Sequence, residues 1–134
     1  GWRLGMVHDL RPEHRPIPEL IEKHLGGREV DILIAGDTHV ERLEYRDGVV
    51  FVNSGSPILP HHKETRLGTM GLLEIDKDRL HAEILVLGET DGAYNPGTHH
   101  HLQMEMGRVT SASKGGVPRT CEQNGYDTES ALGI

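Results

Sequence analysis

Three residues of this chain have the chemistry of metal ligands and fall where strands should end. His8 closes an apolar stretch, and Asp37 and His39 follow a second one as Gly36-Asp37-Thr38-His39. Imidazole and carboxylate suit Zn, Mn, Fe or Ni. In an open α/β sheet, ligands gather at the carboxyl ends of strands, so the three could converge on one site. Gly36 allows a sharp turn after the strand, and the intervening Thr38 lets Asp37 and His39 point the same way. The alternative reading of the same spacing is structural: Asp37 caps a turn and His39 packs beside it.

The elements that would position these residues are short. Residues 2–8 (WRLGMVH) read as a buried strand, and the two prolines of 10–17 mark a loop. Pro18 suits the first turn of a helix over Pro18–Leu25. Leu20, Ile21 and Leu25 share its apolar face, and Gly26-Gly27 ends it. The run VDILIA at 30–35 has the look of a strand buried on both faces. A hairpin follows, VERLEYR and VVFVN, around the turn signal Asp47-Gly48. After the tight loop Asn53-Ser54-Gly55-Ser56-Pro57 comes a second hairpin, with strands Gly71–Ile75 and Leu80–Leu87. Strand, helix, strand and then antiparallel hairpins make a layered α/β sandwich. From residue 89 the chain is rich in Gly, Ser, Thr and Asn with little apolar periodicity. Residues 1–88 are therefore expected to form the domain, and 89–134 a largely disordered tail.

Composition excludes several classes of function. Lys and Arg total 14 against 21 Asp and Glu, a formal charge of −7 over 134 residues. Such a chain has no bulk attraction for nucleic acid or anionic membranes. Its single cysteine, Cys121, excludes both a disulfide framework and a thiolate zinc cluster. No apolar run is long enough to span a bilayer, and the N-terminus carries no secretory signal. A cytoplasmic protein is the expectation.

Three blocks, GMVHDL, IAGDTHVE and VNSGSP, occur in the order found in the closing half of the calcineurin-like metallophosphoesterases, and the stretch from residue 2 to about 88 resembles the YfcE-type phosphodiesterases of that superfamily. In that family an apolar strand leads into G-H-T-H, then a hairpin, then N-P-G-S-P. The resemblance implies the C-terminal half of a metallophosphoesterase β-sandwich flanked by helices. It also implies hydrolysis of a phosphomonoester or phosphodiester at two divalent metals bridged by an aspartate. By motif position, His8 and Asp37 would serve the second metal and His39 the first. Asn53, Gly55 and Ser56 would fix a loop beside the site.

Three departures from the family pattern stand out. G-H-T-H reads G-D-T-H here, so Asp37 replaces a histidine; a harder, charged ligand favours Mn or Fe, with Zn or Ni possible. N-P-G-S reads N-S-G-S. The family's earlier motifs, D-x-H, G-D and G-N-H-D/E, should precede His8, and only seven residues do so. The expectation is a site that lacks its N-terminal half, with a small phosphate ester as the substrate of the completed site. A non-catalytic protein-binding scaffold of the same fold and an inactive fragment are the alternatives.

The remaining candidates read as structural. His61 and His62 follow the loop where many relatives carry arginine; they either line the substrate pocket or, the favoured reading, face solvent. His14, His24 and His81 read as surface residues. Asp9 either orients His8 or forms a turn. The triplet His99–His101 could take up nickel or zinc adventitiously, and Cys121 has no base near it in sequence.

Overall fold

A computed structural model describes residues 1–62, 64, 66–88 and 95–113. Its elements are β1 (Leu4–Val7), α1 (Ile17–Leu25), β2 (Ile32–Ala35), β3 (Arg42–Arg46), β4 (Val49–Asn53), a single turn at Pro60–His62, β5 (Thr69–Ile75), β6 (Arg79–Val86), β7 (His100–Glu105) and β8 (Arg108–Ala112). They form two four-stranded sheets, ordered β1-β2-β4-β3 and β5-β6-β7-β8. β1, β2 and β4 run parallel, whereas β3 and the whole second sheet are antiparallel.

In the first sheet β2 and β4 are covered on both faces, whereas the edge strand β1, expected to be buried, leaves Leu4 and Met6 exposed. Ile32, Val50 and Val52 pack against Leu80, Ala82, Ile84, Leu102 and Met104 of the second sheet. Their neighbours Leu33, Ala35 and Phe51 point the other way, against Leu10 and the helix residues Ile17 and Leu20. That two-sided burial is why VDILIA carries no polar residue after Asp31. The helix starts one residue before the expected Pro18. Asp47, in the β3–β4 turn, accepts the Ile17 amide at 3.0 Å and so caps it; Gly26 ends it in the left-handed region at φ 63°. The Trp2 indole donates to the Asp76 carbonyl at 2.6 Å, tying the start of the chain to the β5–β6 turn.

The expectation of a disordered tail from residue 89 needs correction over residues 95–113, while 89–94 and 114–134 lie outside the described residues. Residues 100–112 form the β7–β8 hairpin and complete the second sheet. His100, Leu102 and Met104 are buried, while His101 and Gln103 between them are half-buried. Three consecutive histidines and a Gly/Asn-rich approach mask this period of two in the sequence. Asn95 anchors that approach. Its amide donates to the carbonyls of Leu67 (3.0 Å), Gly68 (3.1 Å) and Leu87 (2.7 Å), and its Oδ1 accepts from Arg66 at 2.8 Å. Cys121 lies outside the described residues. Among those described, no helix is long and apolar enough to cross a membrane.

Candidate functional site

Parallel pairing of β1 with β2 runs to Val7 opposite Ala35, so both strands end at the same level. The next residues are joined directly, because the Gly36 amide donates to the His8 carbonyl at 3.0 Å. Asp37 and His39 then take left-handed backbone, φ 68° and 61°, so the chain coils tightly over the strand end. Strained backbone of this kind concentrates where a structure must aim particular side chains.

Two of the three expected ligands meet. His8 Nε2 lies 2.9 Å from Asp37 Oδ1, with the imidazole largely exposed. The other Asp37 oxygen accepts from Arg11 Nη2 at 2.7 Å. Arg11 is in turn held by Asp9, through Nε at 3.0 Å, Nη2 at 2.8 Å and its backbone amide at 2.9 Å. Asp9 therefore forms the turn and holds the arginine. The Arg11 guanidinium, helped by the Arg11 amide, keeps the Asp9 carboxyl well below the usual carboxylate range.

His39 faces the 53–62 loop. Its Nδ1 donates to the Leu59 carbonyl at 2.8 Å, and its own carbonyl accepts from the His61 amide at 2.8 Å. A backbone acceptor on one ring nitrogen fixes the tautomer and the ring plane, as is usual for metal-binding histidines. Among the described residues, no three His, Cys, Asp or Glu side chains converge as a metal-ligand set.

Asn53 ties the loops together from beneath. Fully buried, it donates to Glu13 Oε2 at 2.8 Å and Thr38 Oγ1 at 2.9 Å, and its Oδ1 accepts from the Gly55 amide at 3.0 Å. The strand-end turn, the 9–16 loop and the 53–57 loop are thus fixed by one side chain. Gly55 has φ 77°, and a Cβ there would stand 2.3 Å from Thr69 Oγ1, so the loop admits no larger residue without moving Thr69. Ser56 Oγ accepts the Leu59 amide at 3.0 Å, which places the carbonyl that orients His39.

Arg11, Glu13 and Glu41 also border the site, and no local sequence signal marks them. His61, expected to face solvent, is about half exposed and lies 3.2 Å from the buried Glu41. The Thr98 amide donates to the other Glu41 oxygen at 3.0 Å. Burial on its own would raise the Glu41 carboxyl, but the Thr98 amide, its own amide and His61 outweigh it and leave the carboxyl below its ordinary value. The folded chain then holds fewer protons on this group than the unfolded chain. Its contribution to stability is present above the ordinary glutamate value and lost as pH falls through the folded one. Thermal melts from about pH 5 to pH 3 should show wild type losing more stability than Glu41→Gln. Equal losses would remove Glu41 from the acid response.

The other histidines lie elsewhere. His81 and His99 both contact Glu83, at 2.7 and 3.3 Å, on the outer face of the second sheet. His101 bonds Ser111 there at 3.1 Å. His14 is exposed and His24 half-buried.

A two-sheet α/β sandwich with imidazole and carboxylate groups collected at parallel strand ends is the architecture expected of a metallophosphoesterase domain. The sequence profile of the calcineurin-like phosphoesterase superfamily domain matches residues 1–78, and the chain belongs to that superfamily. Among solved structures, it is similar to a single-site variant of Vps29 from Entamoeba histolytica, with a TM-score of 0.54 and 24% identity over 78% of this chain and 55% of that one. Wild-type Vps29 of the same organism, complexed with Zn²⁺, also matches, with a TM-score of 0.49 and 24% identity over 78% of this chain and 56% of that one. The chain thus spans about half the length of the solved structures it matches. No curated protein matches.

A divalent ion suits part of this donor set. Adjacent donors about a tetrahedral ion with bonds near 2.0–2.2 Å stand about 3.3–3.6 Å apart; His8 Nε2 and Asp37 Oδ1 are in direct contact at 2.9 Å, so a small parting of the two seats an ion between them. The described residues alone do not furnish a two-ion centre.

Proposed function

We propose that this chain is the portion of a metal-dependent phosphoesterase domain that contributes His8, Asp37 and His39 to the metal centre. The reaction is hydrolysis of a small phosphomonoester or phosphodiester, and the other ligands come from outside this chain. The observation that carries the reading is the 2.9 Å contact of His8 Nε2 with Asp37 Oδ1 across two parallel strand ends. Divalent ions, with Mn or Fe favoured by the carboxylate at position 37, supply polarisation of the phosphoryl oxygen and an activated water when bound. This chain's own part is positioning. Leu59 fixes the plane of the His39 imidazole, Gly36 locks His8 beside the turn, and Asn53 holds the loops in register.

A second reading, a non-catalytic protein-binding scaffold, is favoured by one observation: a guanidinium already neutralises Asp37. The test is an NMR titration of the 134-residue chain with Mn²⁺, run beside an assay on an activated phosphodiester. Selective broadening of the His8 and His39 ring signals with no turnover is the expected outcome. Unchanged His8 and His39 signals at saturating Mn²⁺ would leave the scaffold as the better reading. Turnover by this chain alone would overturn the partial-site proposal.

A further inference from the structure

We propose that Arg11 is a built-in competitor for the divalent ion at the His8–Asp37 pair, an internal cation that must leave Asp37 before the ion can bind well. The inference rests on the reading of His8 and Asp37 as ligands. Its starting point is that the two Asp37 oxygens have different partners: Oδ1 faces His8 Nε2 at 2.9 Å, and Oδ2 accepts from Arg11 at 2.7 Å. An ion seated between His8 and Asp37 would share that carboxylate with a guanidinium of like charge. The repulsion acts well inside the Debye length, so salt screens it little, and the exposure of both groups to water keeps it modest.

The geometry also lets Arg11 leave. Asp9 binds the same guanidinium through two bonds and the Arg11 amide through a third. One nitrogen, Nη2, bonds both Asp9 and Asp37, so Arg11 leaves Asp37 when the Asp9 and Arg11 side chains move together, which costs one contact and keeps the bidentate one. Both Arg11 and His8 are more than half exposed, so an ion can approach from solvent while the arginine moves. Together Asp9 and Arg11 make a latch on the ligand pair. Without an ion, the latch holds Asp37 in the ligand position and neutralises it. With an ion, the Asp9–Arg11 pair moves off Asp37 as a unit. The family pattern alone does not show this, because it rests on where the 9–16 loop turns and on a carboxylate standing at position 37.

The experiment is a Zn²⁺ titration of the full 134-residue chain at fixed ionic strength, followed at the His8 ring by NMR. That readout ignores ions taken up at His81, His99 or His101. Arg11→Gln and Arg11→Met should bind about fivefold tighter than wild type, the upper end of what an exposed ion pair supports. Arg11→Lys should fall between, since it keeps the charge but loses the fork that grips Asp9. Asp37→Asn should bind much more weakly. Equal or weaker binding in Arg11→Gln and Arg11→Met would overturn the latch while leaving the ligand reading intact. Should the His8 ring fail to respond in wild type and variants alike, the ligand assignment itself falls, and the latch with it.

Discussion

Arg46→Ala is expected to destabilise the chain by about 3–5 kcal/mol, the range for breaking one side of a buried ion pair. Arg46 is fully buried. Its guanidinium donates to Glu44 Oε1 at 3.1 Å and to the Glu13 carbonyl at 2.6 Å, and it lies 5.6 Å from the centre of the Phe51 ring. Burial pushes the guanidinium below its ordinary value, and the Glu44 charge works against that push. Removing Arg46 takes the nearest cation from the buried Glu44 carboxylate; Arg42 is the other, at 3.7 Å. The cost is thus mainly a charge left in a poor environment. The double variant Glu44→Leu with Arg46→Met should recover most of the loss, because a well-packed apolar pair can replace a buried ionic one. Urea unfolding of the three proteins measures both effects. A single-variant loss below about 1 kcal/mol would place the pair in contact with water and defeat the argument.

Asn53→Ala should cost about 2–4 kcal/mol, and by a route that depends on pH. The side chain is fully buried and makes a charge-assisted bond to Glu13 together with bonds to Thr38 and Gly55; such bonds to charged groups contribute about 1.5–3 kcal/mol and neutral ones about 1. Burial raises the Glu13 carboxyl above its ordinary value, and the Asn53 amide is the largest influence opposing it. Without that amide the folded value rises further. A carboxyl raised by folding binds more protons in the native state, so stability falls as pH climbs through the folded value. The deficit of Asn53→Ala should therefore be larger at pH 7 than at pH 5. Denaturant midpoints at the two pH values decide it, and a deficit independent of pH would mean that Glu13 is not the group affected.

These two networks also show where the sequence stops being readable. The strand VDILIA, the Asp47-Gly48 turn and the helix opened by Pro18 each carry a local signal: apolar continuity, a turn dipeptide, or a fixed φ with one apolar face. All three are found within two residues of where those signals place them. Glu44 and Arg46 alternate with Leu43 and Tyr45 along β3, the usual mark of a strand with one solvated face. The 9–16 loop covers that face instead, bringing Glu13 against Arg42 and Asn53. No periodicity announces a covering loop, so its buried charges could not be anticipated. The site divides in the same way. His8, Asp37 and His39 were legible from strand ends and from family resemblance. Arg11, Glu41 and His61 reach the site only through tertiary placement of their loops. In the hairpin of 100–112 the signal was present, but the local composition outweighed it.

Asp37 and His39 share a backbone conformation as well as a position near the site, both lying at positive φ. Aspartate, asparagine and histidine are the non-glycine residues that enter this region most readily, and alanine there carries roughly 1 kcal/mol of steric cost. The turn thus screens its own sequence before any ligand is considered. An exchange of histidine for aspartate at position 37 alters charge and ligand hardness but passes the conformational screen unchanged. It can accumulate by drift without disturbing the strand ends. For the same reason an alanine scan of this turn would confuse loss of a donor atom with loss of the turn, and asparagine is the cleaner substitute at position 37.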